Sequence, residues 1–158
     1  MSVVRRWSVR NARFLESLYN LFEPMLGSLY SVFKVVGYQR LEGPVAVVER
    51  LVKGLLFDCQ MCGQCALRAT GMSCPMNCPK QLRNGPCGGV LPDAGCEVKP
   101  EMRCVWVEAW EGSRRMRDGD AINRVQVAVE FDLEGTSSWL RVGREIHDQR
   151  VALKETRA

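Results

Sequence analysis

Cys59, Cys62 and Cys65 stand in a C-x2-C-x2-C array, and Cys74, Cys78 and Cys87 follow, so that six of the chain's eight cysteines fall within 29 residues. Cys96 and Cys104 complete the set. Thiolates at this density are metal ligands, for an iron–sulfur cluster or for zinc. The spacing bears on the choice. Three consecutive thiolates wrap a short loop around a cluster so that each sulfur meets a different iron, whereas a zinc ribbon uses separated C-x2-C pairs. The triplet therefore favours a [4Fe–4S] cluster and needs a fourth ligand from elsewhere. Cys74 and Cys78 are both candidates, each followed by a proline (Pro75, Pro79) that ends a ligand loop. Cys87 sits on a glycine-rich turn, Asn84-Gly85-Pro86-Cys87-Gly88-Gly89, where backbone can approach a bulky inorganic group. Eight cysteines suit two four-cysteine sites, or one cluster plus structural thiols. Zinc in the same residues is the alternative.

The rest of the composition narrows the chemistry. His147 is the sole histidine and falls in a polar segment, which argues against mixed Cys/His zinc sites and a histidine general base beside the cysteines. No nucleophile elbow or phosphate-binding glycine loop is present, so the expectation is a non-catalytic subunit. A net charge of +4 without a concentrated basic tract gives no indication of nucleic-acid binding. Disulfides would require export. Arg5-Arg6 resembles a twin-arginine pair, but Arg10, Arg13, Glu16 and Glu23 interrupt any apolar region behind it. The apolar run Met25 to Tyr38 is short for a bilayer and carries Lys34. The expectation is a cytoplasmic protein with reduced thiols and no membrane span.

The elements that must position these cysteines are mostly helical. Phe14, Leu15, Leu18, Leu21 and Phe22 recur at helical spacing behind Asn11, a candidate N-cap, and Pro24 is expected to end that helix or start the next. Met25, Leu26, Leu29, Val32, Phe33 and Val36 continue to a stop at Gly37. A third helix is expected from Pro44, a first-turn residue, to about Leu56, running directly into Cys59. Val105 to Met116 reads as a short helix, Val125 to Phe131 as a strand, and 135–140 as a turn or cap. The tail from Arg144 is polar and expected to fray. The fold class is mainly α around a loop-rich cysteine core, a small α+β domain with few short strands. Residues 1–40 form amphipathic docking helices, 41–142 the cysteine-rich metal-binding domain, and 143–158 a polar tail.

The segment CPMNCPKQLRNGPCGG from Cys74 to Gly89 closely resembles the methylenetetrahydrofolate reductase C-terminal (MetV-type) cysteine-rich family. Gly95-Cys96-Glu97-Val98, Arg103-Cys104-Val105-Trp106-Val107 and Leu133-Glu134-Gly135-Thr136-Ser137-Ser138-Trp139 extend the match over roughly Leu41 to Leu140. The resemblance implies a small subunit, or fused domain, beside a flavin-carrying reductase of TIM-barrel fold that interconverts 5,10-methylenetetrahydrofolate and 5-methyltetrahydrofolate. It implies that this chain passes electrons to or from that flavin in one-carbon metabolism, with a redox protein as further donor or acceptor. The chemistry at the folate would belong to the partner. The cysteines matching the family pattern are all eight: Cys59, Cys62, Cys65, Cys74, Cys78, Cys87, Cys96 and Cys104. The alternative function is a structural zinc-binding assembly module without electron transfer. The N-terminal helices, and the face carrying Trp106 and Trp110, are the expected docking surfaces.

Overall fold

The computed structural model describes residues 3–155 and is mainly α. Five helices, α1 (Val3–Arg10), α2 (Ala12–Val36), α3 (Tyr38–Phe57), α4 (Val105–Ser113) and α5 (Ser138–Glu155), frame a long irregular segment containing the cysteines. Among the described residues none of the helices is long and apolar enough to cross a membrane.

α2 runs unbroken through Pro24, where a stop was expected. Proline removes one intrahelical hydrogen bond and costs a free-standing helix about 3 kcal/mol. Tertiary packing offsets that cost, because α5 lies along α2 just past the proline. Gly27 faces Ile146 so closely that a Cβ would sit 2.6 Å from its Cγ2, and Gly143 of α5 comes up against the Leu26 carbonyl. Two glycines thus let the helices approach and brace the weak turn. The side chain of Val32 lies outside the described residues.

α3 also starts earlier than expected. Gly37, at φ 96°, turns the chain immediately after α2, so Pro44 falls inside the helix rather than in its first turn. Asn11 does not cap α2. It occupies the α1–α2 junction, and its amide donates to the Trp7 carbonyl at 2.9 Å.

No sheet forms among the described residues, and two isolated antiparallel bridges, Val90 with Cys96 and Gly95 with Arg103, are all that remains of the expected strands. Residues 125–130 join no helix or strand. Side chains hold them instead: Asn84 bonds both the N–H (2.7 Å) and the carbonyl (2.9 Å) of Gln126, and Gln64 accepts the Glu130 N–H (3.0 Å). Alternating residues meet no ladder, so Val125, Val127 and Phe131 stay exposed.

The segment after Gly135 is not a mere cap but the entry to α5, which continues to Glu155; residues 156–158 lie outside the description. Leu140 buries its side chain almost completely, and Phe22 meets Trp139 edge to face at 5.2 Å. His147, in the segment expected as a polar tail, stacks on Tyr30 at 3.9 Å between centroids. The middle of α5 is held by tyrosines of α2 and α3: beside the His147–Tyr30 stack, the Arg144 guanidinium lies 4.5 Å over the Tyr38 ring.

The main core joins Ala12 and Leu15 of α2 to Phe57, Leu67, Met72, Cys74 and Met116. It therefore lies directly under the cysteine loop. A second cluster holds Cys104, Trp106 and Ala109 of the α4 region. Glu16, buried in α2, accepts the backbone N–H groups of Arg117 (2.7 Å) and Asp118 (2.9 Å), which satisfies the turn after α4.

Candidate metal centre

α3 delivers the chain into the cysteine loop through a left-handed residue. Asp58 has φ 55°, its N–H returns to Gly54 (3.0 Å), and the Cys59 N–H bonds the Lys53 carbonyl (3.3 Å). The loop then turns again at Met61 (φ 49°) and Gly63 (φ 69°). Gly63 is constrained twice over, by its positive φ and by its neighbours: a Cβ there would lie 2.5 Å from the Leu133 carbonyl and 2.7 Å from Thr136 Oγ1. The Gly135 N–H donates to the Met61 carbonyl at 2.8 Å. Residues 133–136 therefore clamp the cysteine loop from outside.

These turns bring Cys59, Cys62, Cys65 and Cys74 to the wall of one cavity of about 20 Å³, with Pro75, Lys53, Glu49 and Arg83 beside them. Cys74 and Cys59 share a hydrogen bond that holds the Cys74 thiol below its ordinary pKa, with backbone N–H groups of Gln60 and Met76 adding to the effect against the opposing cost of burial. The same bond, with burial, pushes Cys59 well above the ordinary value. The Met61 N–H approaches the Cys59 sulfur at 3.4 Å. Arg83 is buried, with Nη1 3.5 Å from the Cys62 sulfur and Nη2 2.9 Å from the Gln64 carbonyl.

Lys53 is the second buried cation at this wall. Its ammonium donates to Glu49 Oε1 and Ser138 Oγ, each at 2.7 Å. Burial alone would depress its pKa, but Cys65, Glu49 and Cys59 together raise it above the ordinary lysine value. Glu49 in turn accepts from Ser137 Oγ (2.6 Å), Ser138 Oγ (2.5 Å) and the Trp139 N–H (3.1 Å). Burial opposes ionisation of Glu49, and Lys53 with the two serines more than overcomes it, leaving the carboxyl below its usual range.

The lining has the chemistry an anionic metal group would need: the thiols of Cys59, Cys62, Cys65 and Cys74, from two loops, share one cavity wall, with a backbone N–H donor at Met61 and the buried cations Lys53 and Arg83 beside them. Among the described residues, no three Cys, His, Asp or Glu side chains gather as ligands of a single ion. All eight cysteines are free thiols.

The other four cysteines lie outside this cavity. Cys78 follows the 3-10 turn Pro75–Asn77 and returns its N–H to Pro75 (3.0 Å). Cys87 bonds the exposed Lys80 ammonium, which also pairs with Glu97. Cys96 joins the bridge to Val90, and Cys104 is buried at the start of α4 with its N–H on the Ala94 carbonyl (2.8 Å). Between the two fourth-ligand candidates, the fold places Cys74 at the triplet. The Asn84 to Gly89 turn serves packing as well: Gly85 lies flat on the Trp106 indole, whose N–H bonds the Leu82 carbonyl at 3.1 Å. That burial removes Trp106 from any docking surface, while Trp110 is exposed.

Sequence reasoning missed Lys53, Glu49 and Arg83. The available signal was the i, i+4 pair Glu49/Lys53 in α3, which reads as solvated charge until α5 covers it. A larger apolar cavity of about 270 Å³ opens between α2 and α3, walled by Leu15, Tyr19, Phe22, Val52 and Trp139 and reaching Cys65. Burial in this wall, reinforced by Cys65, pushes Tyr19 up to about 12.

A family model described as methylene-tetrahydrofolate reductase C terminal matches residues 38–132. No curated protein and no solved structure matches the chain.

Proposed function

Because the chain belongs to the methylene-tetrahydrofolate reductase C-terminal family, we propose that it is the iron–sulfur electron-transfer subunit of a reductase complex of that type, exchanging electrons with a flavin-carrying partner. One observation carries the reading: Cys59, Cys62, Cys65 and Cys74 wall one cavity flanked by the buried cations Lys53 and Arg83. A [4Fe–4S] cluster bound there supplies one-electron chemistry, and the residues of this chain hold it and set its surroundings. Arg83 and the Met61 N–H aim at ligand sulfurs, Gly63 admits the tight turn, and Pro75 closes the loop behind Cys74. The apolar core beneath the loop excludes water.

The partner has a surface to meet. α2 exposes Phe14, Leu18, Leu21 and Met25, and α3 exposes Val48, Leu51, Val52 and Leu55. Apolar faces of this extent on a small chain mark an interaction site, and this one adjoins the cavity wall at Cys65. No catalytic residue is assigned to this chain, since folate chemistry falls to the flavin-carrying subunit. The working location is the cytoplasm, where thiols stay reduced.

The test is anaerobic purification followed by counts of iron, acid-labile sulfide and zinc. Iron and sulfide in near-equal amounts, with a brown colour bleached by dithionite, are expected. A colourless protein carrying zinc alone overturns the proposal in favour of a structural zinc module.

A further inference from the structure

The geometry points to Lys53 as a positioning residue whose fixed positive charge raises the reduction potential of the group held by Cys59, Cys62, Cys65 and Cys74, with Glu49 as the counter-charge that limits the rise. This inference rests on the iron–sulfur reading above.

A surface lysine would be screened and hydrated. Lys53 is only 4% exposed, and its ammonium is fixed by Glu49 and Ser138 at 2.7 Å each. It lines the same cavity as the four cysteines and interacts electrostatically with Cys65 and Cys59. Glu49 carries a comparable charge but spends it elsewhere. Its two oxygens accept Ser137, Ser138 and the Trp139 N–H at the start of α5, as well as Lys53. The pair is therefore oriented, with its positive end interacting with the thiols and its negative end neutralised by donors from α5.

Stability alone does not account for such a pair. Buried ion pairs are often no better than apolar residues of equal volume. Reduction adds negative charge at the ligand sulfurs, and a cation held in a poorly screened wall favours that state. Arg83, at 3.5 Å from the Cys62 sulfur, adds a second positive charge from the opposite loop. Two cations against one carboxylate leave the wall net positive.

The experiment is a redox titration of the anaerobically purified full chain and of Lys53→Met, Glu49→Gln and the double variant Lys53→Met/Glu49→Gln. Iron and sulfide are counted first, and the potential is read from the spectroscopic signal of the reduced state. Lys53→Met is expected to lower the reduced-to-oxidised ratio at fixed potential by about tenfold, equivalent to ~59 mV for a one-electron couple. Glu49→Gln is expected to shift it upward, and the double variant to return towards the parent. The opposite signs distinguish a charge effect from loosened packing, which would move both single variants the same way. The double variant leaves no unpaired buried charge and serves if Lys53→Met alone fails to fold. Iron-loaded variants whose potentials stay together, or shift with one sign, overturn this inference and leave the iron–sulfur reading standing. A parent chain with zinc and no iron overturns both.

Discussion

Replacing Gly63 by alanine tests whether residues 133–136 clamp the cysteine loop. The residue sits at φ 69°, where an L side chain costs about 1–2 kcal/mol. The new Cβ would also meet the Leu133 carbonyl at 2.5 Å and the Leu133 Cβ at 2.8 Å, so the loop must draw back. The bond most exposed to that retreat is the Gly135 N–H to Met61 carbonyl contact at 2.8 Å, worth about 1 kcal/mol. The expected loss is therefore about 2–3 kcal/mol, a fall in Tm of roughly 4–12 °C for a chain of this size. Two other glycines separate the contributions. Gly37 has φ 96° and ψ 122°, a sparsely populated conformation, with nothing within 4 Å of a built Cβ, so Gly37→Ala carries a conformational cost alone, about 1–3 kcal/mol. Gly88, beside Cys87, has neither constraint, and Gly88→Ala should stay within about 0.5 kcal/mol of the parent. Thermal melting of the three variants at equal metal content gives the order directly. A Gly63→Ala protein as stable as Gly88→Ala would refute the clamp.

Two further outcomes follow from the site. Cys74→Ser should abolish stoichiometric iron binding while Cys78→Ser retains it, because only Cys74 reaches the wall shared with the triplet; iron counts on both variants check this. Acid should weaken the protein through Glu49: its folded pKa lies below the ordinary 4.5, so its stabilisation is complete above that value and is lost as pH falls through the folded pKa. Urea midpoints measured from neutral pH into the acid range should show a steeper acid limb for the parent than for Glu49→Gln, and parallel limbs would contradict the assignment.

The helices that carry periodic apolar residues were legible before the fold, as was the cysteine triplet, because both signals are local. What escaped was decided across long separations. Pro24 and Pro44 read as helix boundaries, yet α5 braces α2 at Gly27 and Gly143, and Gly37 starts α3 six residues before its proline. The stretch at 125–130 has strand-like alternation, but its partners are the side chains of Asn84 and Gln64 rather than a neighbouring strand. Glu49 and Lys53 resemble any exposed i, i+4 pair, and only the arrival of Ser137 and Ser138, 88 and 85 residues from their partners, buries them. The choice between Cys74 and Cys78 was equally open locally. The 3-10 turn at Pro75–Asn77 leaves Cys74 on the cavity wall and Cys78 off it, and on that placement we propose Cys74 as the fourth ligand.

The clamp on the cysteine loop also fixes an order of events during synthesis. Cys59 to Cys74 leave the ribosome well before Leu133 to Trp139, and domains acquire structure from the N-terminal side as they emerge. The thiols are therefore made while their outer wall is still unsynthesised, with the loop open on the side that Gly135 and Thr136 later cover. On the iron–sulfur reading proposed above, a metal group delivered to a nascent chain would meet an accessible loop. Delivery to a finished chain must first displace contacts that close over a span of more than sixty residues, so insertion after release should be the slower route.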